Sequence, residues 1–211
     1  MMTGVDLLRA GDRGWMVDLA PDKIASVVAS ARRQTWSCLV QDIVPAARSV
    51  LFRAHSSADM GPLATRIRHL IDTADAECAV PADRDPVIVP VRYDGEDLAG
   101  VARTLDCSVD EVIEAHAGAE HRVGFFGFAP GFAYIDGLPE SLKLPRRTSP
   151  RPRVERGLVA IAGTQTVVYP GGTPGGWHLI GSTSEILWDP ESEQPSRLAV
   201  GDRVVFRAVA R

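Results

Sequence analysis

The chain has 211 residues, enough for one large domain or two small ones, and two is the better fit at roughly 100–200 residues per domain. With 45% hydrophobic and 24% charged residues it supports an ordinary globular core. No apolar run reaches the ~18 residues of a membrane span, the acids Asp6 and Asp12 make the start unlike a secretory signal, and the net charge of 23 − 27 = −4 argues against a general nucleic-acid binder. Cys38, Cys78 and Cys107 are odd in number and widely spaced. They match neither a disulfide framework nor a zinc pattern, so a cytoplasmic chain without a metal site is expected.

The only lysines are Lys23 and Lys143. Neither stands in a Walker A loop or in the Met-Lys setting of a biotin-carrying lysine, and there is no G-x-S-x-G elbow and no H-E-x-x-H pair. Chemistry that needs ATP, biotin or an acyl-enzyme is therefore expected to draw on another chain.

In chain order, Trp15 to Leu19 reads as a short strand. Pro21 opens a helix whose Ile24, Val27, Val28 and Ala31 form one apolar stripe. Cys38 to Val44 and Ser49 to Arg53 read as strands broken by Pro45. A second helix covers Asp59 to Thr73, with Leu63, Ile67, Leu70 and Ile71 on one face, and Pro86 to Tyr93 is a further strand. This β-α-β-β-α-β order is that of a ferredoxin-like sandwich. The polar, Pro-rich segment from Ala79 to Pro86 sets a boundary, giving an α+β domain over 1–85 and a second domain over 86–211; the last strand fits either.

Two short helices follow. The first spans Glu96 to Leu105; the second opens on the capping box Ser108-x-x-Glu111, runs to Ala117 and carries His116 at its end. A histidine near a helix C-terminus is stabilised by the dipole, and a structural role is expected for it. Between Gly124 and Trp177 lie ten of the 19 glycines and seven of the 15 prolines. That density excludes helix. Short β-rich pieces (123–126, 158–162, 166–169, 178–180, 186–188, 203–209) separated by turns suggest a barrel or sandwich.

Three stretches in this half can carry chemistry. In GFFGFAPGFAYIDGLP, Phe125, Phe126, Phe128, Phe132 and Tyr134 alternate with glycines and Pro130, which suits either an apolar ligand floor or a core strand with tight turns. KLPRRTSPRPRVER holds Lys143, Arg146, Arg147, Arg151, Arg153 and Arg156 against one acid, Glu155. Its arginine forks suit carboxylate or phosphate, and charge alone also fits a solvated loop. In GTQTVVYPGGTPGGWHLIGST, Gly171, Gly172, Gly175 and Gly176 flank Pro174 in a compact turn before Trp177 and His178. Gln165 and Tyr169 add neutral polar groups. His178 is a candidate base or donor, and Asp202 reads as a turn residue ahead of the last strand.

GFAPGFAYIDGLP, LPRRTSPRPRVERGLVAIAG, QTVVYPGGTPGGWHLIGST and GDRVVF together resemble the family of B-type 5-oxoprolinase subunits, also called the allophanate hydrolase subunit 1 or KipI family. The resemblance covers nearly the whole chain. It implies an N-terminal α/β domain followed by a cyclophilin-like β-barrel. It also implies a protein inactive alone, working with two others in an ATP-dependent 5-oxoprolinase that opens 5-oxoproline to glutamate. These partners are the C-type subunit, a second cyclophilin-like protein, and the A-type subunit. Alternative roles in the family are inhibition of a histidine kinase and carboxyl transfer in a urea carboxylase-like system. Phe128, Pro130, Gly131 and Phe132 match GF-x-PGF. Pro145, Arg146, Pro150 and Arg151 match the PR-x-x-x-PR run. Gln165, Tyr169, Pro170, Pro174, Gly175, Gly176 and Trp177 match the last blocks. The resemblance implies substrate contacts at Phe128, Pro130, Gly131, Phe132, Gln165, Tyr169, Gly175, Gly176 and Trp177; Arg146, Arg147, Arg151 and His178 are the catalytic candidates, Arg147 and His178 on side-chain chemistry rather than on a motif match. Arg146, Arg147 and Arg151 would stabilise developing negative charge.

Overall fold

A computed structural model describes residues 6–73 and 85–209. The chain divides into two compact units, residues 1–83 and 84–211. Cys78 and most of the boundary segment expected at 79–86 lie outside the described residues.

In the first unit, strands β1 (Leu7–Arg9), β2 (Gly14–Asp18), β3 (Val40–Pro45) and β4 (Ser49–Ala54) form an antiparallel sheet in the order β1-β2-β4-β3. Helix α1 (Pro21–Arg32) starts on Pro21, whose missing N–H costs nothing in the first turn. Its buried stripe of Ile24, Val27, Val28 and Ala31 joins Met60, Leu63, Ile67 and Leu70 of α2 (Met60–Thr73) on Val17, Val50 and Phe52 of the sheet. Val17, Phe52, Leu63 and Ile67 are fully buried, each worth about 1.5–3 kcal/mol of transfer free energy. Two expectations are corrected. Pro45 does not stand outside β3 as a breaker but is its last residue; β3 is the edge strand, so the missing N–H removes no ladder bond. The final strand of the expected β-α-β-β-α-β order is not in this sheet. A short N-terminal hairpin strand, β1, flanks β2 instead.

That displaced strand, β5 (Val87–Val91), belongs to the second unit. It is followed by α3 (Leu98–Thr104), α4 (Val109–Ala117), β6 (His121–Phe126), β7 (Ala133–Asp136), β8 (Arg151–Val154), β9 (Leu158–Ala162), β10 (Gln165–Val168), β11 (Thr173–Gly175), β12 (His178–Ser182) and β13 (Arg203–Ala208). Seven strands form one sheet in the order β12-β9-β10-β7-β6-β13-β5. All its neighbours are antiparallel except β13 and β5. Backbone bonds of 2.8 Å in both directions between Arg92 and Ser182 bring the β5 edge to β12, so the sheet is a nearly closed barrel. The capping box at the start of α4 is complete: Glu111 N–H donates to Ser108 Oγ, and Ser108 N–H donates to the Glu111 carboxylate. Strand β8 pairs with β11 as a separate two-stranded ribbon. The strand expected at Ile186–Trp188 is reduced to one isolated bridge, Trp188 to Ser196.

The period of two along the strands sorts this unit into two apolar clusters. Val159 and Ile161 of β9, Val168 of β10, Ile180 of β12 and Ile135 of β7 join the main core with Leu98, Val101 and Val112 of the helices. The alternate residues Ala160, Ala162, Val167 and Leu179 face the other way. There they meet Phe132, Val154, Tyr169 and Trp177, which cover that side of the sheet.

Candidate functional site

On that second face, an aromatic cavity of about 310 Å³ opens between the sheet and the Arg146–Pro150 segment. Phe128, Phe132, Tyr134, Tyr169 and Trp177 supply its rings, Arg146 and Arg147 its charges, and Gly175 and Gly176 its backbone wall. Phe132 sits edge-on to Tyr169 and Trp177 at ring separations of 5.4 and 6.3 Å, and Phe125 stacks on Tyr134 at 4.3 Å. Such edge-to-face packing fixes the rings without filling the space between them. Gly175 leaves no free space for a side chain: a Cβ there would press on the Tyr169 hydroxyl and force it to shift. Burial pushes the Tyr169 hydroxyl above the ordinary tyrosine range, so it is a neutral donor or acceptor. Phe128 is 63% exposed and has φ of 69°, a left-handed backbone that a bulky L-residue adopts only under constraint.

The three arginines are not equivalent. Arg151 lines neither this cavity nor the depression beside it. Its Nη2 donates to both oxygens of Asp97 at 2.9 Å, and its Nε to Glu96 at 2.6 Å. Arg147 lines the cavity, and its Nη1 donates to Asp97 Oδ1 at 2.6 Å. Asp97, whose side chain is only 11% exposed, also accepts the Leu179 N–H at 2.8 Å while its own N–H donates to the Leu179 carbonyl. Burial alone would push its carboxyl up. The hydrogen bonds from Arg151 and Leu179 and the two guanidinium charges outweigh that and hold it below the ordinary aspartate range. Asp97 thus ties the start of α3, strand β12 and two arginines together.

Arg146 is different. No carboxylate pairs with it among the described residues; its guanidinium lies over the Trp177 ring, 5.8 Å from the centroid.

The other expected residues are placed as follows. Pro130 and Gly131 line a separate apolar depression with Trp188 and Leu198 rather than the aromatic cavity, and Gly131 (φ 74°) leaves no room for a Cβ against Trp188. Gln165 donates to Asp136 at 2.7 Å and does not line the cavity. His178 Nε2–H donates to the Pro145 carbonyl at 2.9 Å, which steadies the segment carrying the arginines. Asp202 is a buried turn residue, its carboxylate accepting the Ala199 N–H. His116 is structural, but not as a dipole-stabilised cation. It is fully buried, with Nδ1 2.7 Å from the Tyr93 hydroxyl and Nε2 3.1 Å from Thr166 Oγ1. Burial and the neighbouring His121 push its pKa down to about 3, so it is neutral.

Asp97 is the residue that sequence reasoning missed. It reads there as an ordinary acid at a helix start, while its partners lie 50, 54 and 82 positions away. The one available signal was an arginine-rich run with too few acids of its own.

The pattern described as carboxyltransferase domain, subdomain C and D, matches residues 5–198, and the chain belongs to that family. Within it, the chain is 47% identical over 135 residues to the B-type 5-oxoprolinase subunit of Escherichia coli O157:H7, covering 63% of this chain and 62% of that protein. It is 46% identical over 127 residues to the protein of the same name in Bacillus subtilis, covering 59% of this chain and 53% of the other. The matched stretches thus span little more than half the length of these relatives. The family relationship carried by the motifs therefore holds.

Among solved structures, TTHA0988 superposes with a TM-score of 0.77 at 32% identity, over 94% of this chain and 41% of that one. PH0987 from Pyrococcus horikoshii superposes with a TM-score of 0.57 at 29% identity, over 98% of both chains. The urea amidolyase of K. lactis shares the fold, with a TM-score of 0.70 at 17% identity over 98% of this chain and 15% of that one.

Proposed function

We propose that the chain is one component of an ATP-dependent 5-oxoprolinase that opens the lactam of 5-oxoproline to glutamate, working in the cytoplasm with A-type and C-type subunits and inactive alone. The observation that carries this reading is the 44–47% identity to three proteins named as B-type 5-oxoprolinase subunits. The aromatic cavity suits a small, flat, uncharged ring, with a cation at its edge for a carboxylate or a developing oxyanion. In this reading the second unit is the cyclophilin-like barrel and the first a ferredoxin-like variant. ATP is activated on a partner protein, since the sequence carries no Walker A loop, and no biotin is attached to this chain.

The residues divide the work by position. Phe132, Tyr169 and Trp177 hold the ring and exclude water, Phe128 closes the outer side, and Arg146 meets negative charge. Arg147 and Arg151 position the wall through Asp97. Co-expression with candidate A-type and C-type subunits, followed by an assay of 5-oxoproline consumption with ATP, tests the proposal. Turnover only in the assembled complex is expected, and robust turnover by the chain alone overturns it. Carboxyl transfer is the second reading, favoured by the carboxyltransferase-domain match. Dependence of the assembled activity on a biotin-carrying partner would select it.

A further inference from the structure

A second depression of about 330 Å³, sharing Arg146 and Arg147 with the aromatic cavity, has a different character. Arg146, Arg147, Thr148, Ser149 and His178 line it, and no carboxylate does. We propose that this depression binds a phosphoryl oxyanion, with Arg146 as its principal cation. The inference deepens the reading above, in which the uncharged ring of the ligand occupies the aromatic cavity lined by the same two arginines.

Four observations support it. Charge comes first. Glu96, Asp97, Arg147 and Arg151 form a cluster of two acids and two bases whose charges cancel. Arg146 remains uncompensated. Its guanidinium carbon lies 5.8 Å from the Trp177 ring centroid, and among the described residues none of its N–H donors makes a protein hydrogen bond. Second, Arg147 Nε is buried without a hydrogen-bond partner, a donor removed from water and unsatisfied by protein. Third, the exposed residues Thr148 and Ser149 add two hydroxyls to the rim that no protein group occupies among the described residues. Fourth, the segment is held still. Pro145 and Pro150 stiffen it, Arg147 N–H donates to the Gly176 carbonyl at 2.7 Å, and His178 holds the Pro145 carbonyl. A planar carboxylate is satisfied by one guanidinium fork. Separate donors from two arginines and two hydroxyls suit a tetrahedral group with oxygens in several directions.

The test uses the full chain with inorganic phosphate as the probe, titrated calorimetrically at constant ionic strength against potassium chloride. Saturable binding that chloride does not reproduce is expected. Arg146→Gln should weaken it roughly tenfold or more, the loss of one charge-assisted contact, while leaving the melting temperature without phosphate unchanged. The double substitution Thr148→Ala/Ser149→Ala should weaken it by a smaller factor and provides a second route should Arg146→Gln perturb folding. A phosphate effect no larger than that of chloride, or binding that survives both sets of substitutions, overturns the proposal. ADP in place of phosphate identifies the source of the group. Tighter binding that depends on Arg146 points to a nucleotide phosphate, and weaker binding to a phosphorylated substrate or free phosphate. Turnover of 5-oxoproline by the assembled complex without phosphate binding overturns the site and leaves the function standing. Phosphate binding without turnover in the assembled complex does the reverse.

Discussion

The barrel unit holds two polar clusters built by opposite rules. In the Tyr93–His116–Thr166 cluster, every ring is withdrawn from water and carries no charge; burial keeps His116 neutral and raises the Tyr93 hydroxyl above its ordinary range. In the Asp97–Arg147–Arg151 cluster, the groups stay charged, are only partly withdrawn and compensate one another at the edge of a cavity. The first arrangement ties α4 to β10 and lines none of the cavities described above. The second commits its acids to two arginines and leaves a third, Arg146, facing the cavities. Polar groups that this fold buries for itself end neutral, whereas those at the edge of the cavity remain charged.

The comparison can be broken most severely at His116. His116→Ala removes a fully buried ring and strands the Tyr93 hydroxyl, and a loss of about 4 kcal/mol is expected, measured by hydrogen exchange of β6 and β10 amides. A loss below ~1 kcal/mol would mean that the cluster is not architectural. Asp97→Ala should cost about 3 kcal/mol, because it leaves Arg147 without a carboxylate and Arg151 with Glu96 alone. Asp97→Asn, which keeps an acceptor for Leu179, should cost less. Equal stability of the alanine variant and wild type would show the arginines to be solvated rather than clamped.

The sign of the pH response sharpens the same contrast. His116 titrates at about 3 when folded and near 6.5 when unfolded. Its contribution is therefore complete above pH 6.5 and declines as pH falls toward 3, at about 1.4 kcal/mol per pH unit. The difference between wild type and His116→Gln in urea unfolding should show that slope. Asp97, held below its unfolded value of 3.8, contributes fully above that value and loses its contribution only as pH falls below it. The loss from Asp97 should thus set in only below pH 3.8, after most of the His116 contribution is gone, and an Asp97-dependent loss already present near pH 6 would contradict this order. The smallest effect is expected at Gly175→Ala. Overpacking against Tyr169 should cost about 1 kcal/mol and narrow the aromatic cavity, read as weaker binding of a ring-shaped ligand with phosphate binding retained.

Much of this organisation was legible in the sequence because it is written in local chemistry. The stripes of α1 and α2 repeat at helical spacing, and the Ser108–Glu111 capping box is a four-residue pattern. The stretches that build the aromatic cavity combine glycine, proline and rings at a density that only close backbone packing explains. What escaped was non-local. Strand β8 reads as a charged loop because Pro150 and Pro152 flank its arginines, and its pairing with β11 depends on a three-residue strand. Strands β1 and β7 are too short for a period of two to register. The different roles of Arg146 and Arg151 cannot be read from a basic run, since they depend on Asp97 folding back onto one arginine and Trp177 onto the other.

The parallel pairing of β5 with β13 carries a consequence for the order of events during synthesis. Val204 to Ala208 align with Val87 to Val91, so the first strand of the unit waits for the last. Until β13 leaves the ribosome, β5 lacks its one neighbouring strand in the sheet and is tied to β12 only through the residues that follow it, Arg92 to Asp97, and the Val89 and Val91 side chains lack their Phe206 cover. The unit is therefore completed late and all at once, and nascent chains halted before residue 203 should remain protease-sensitive however well their helices have formed.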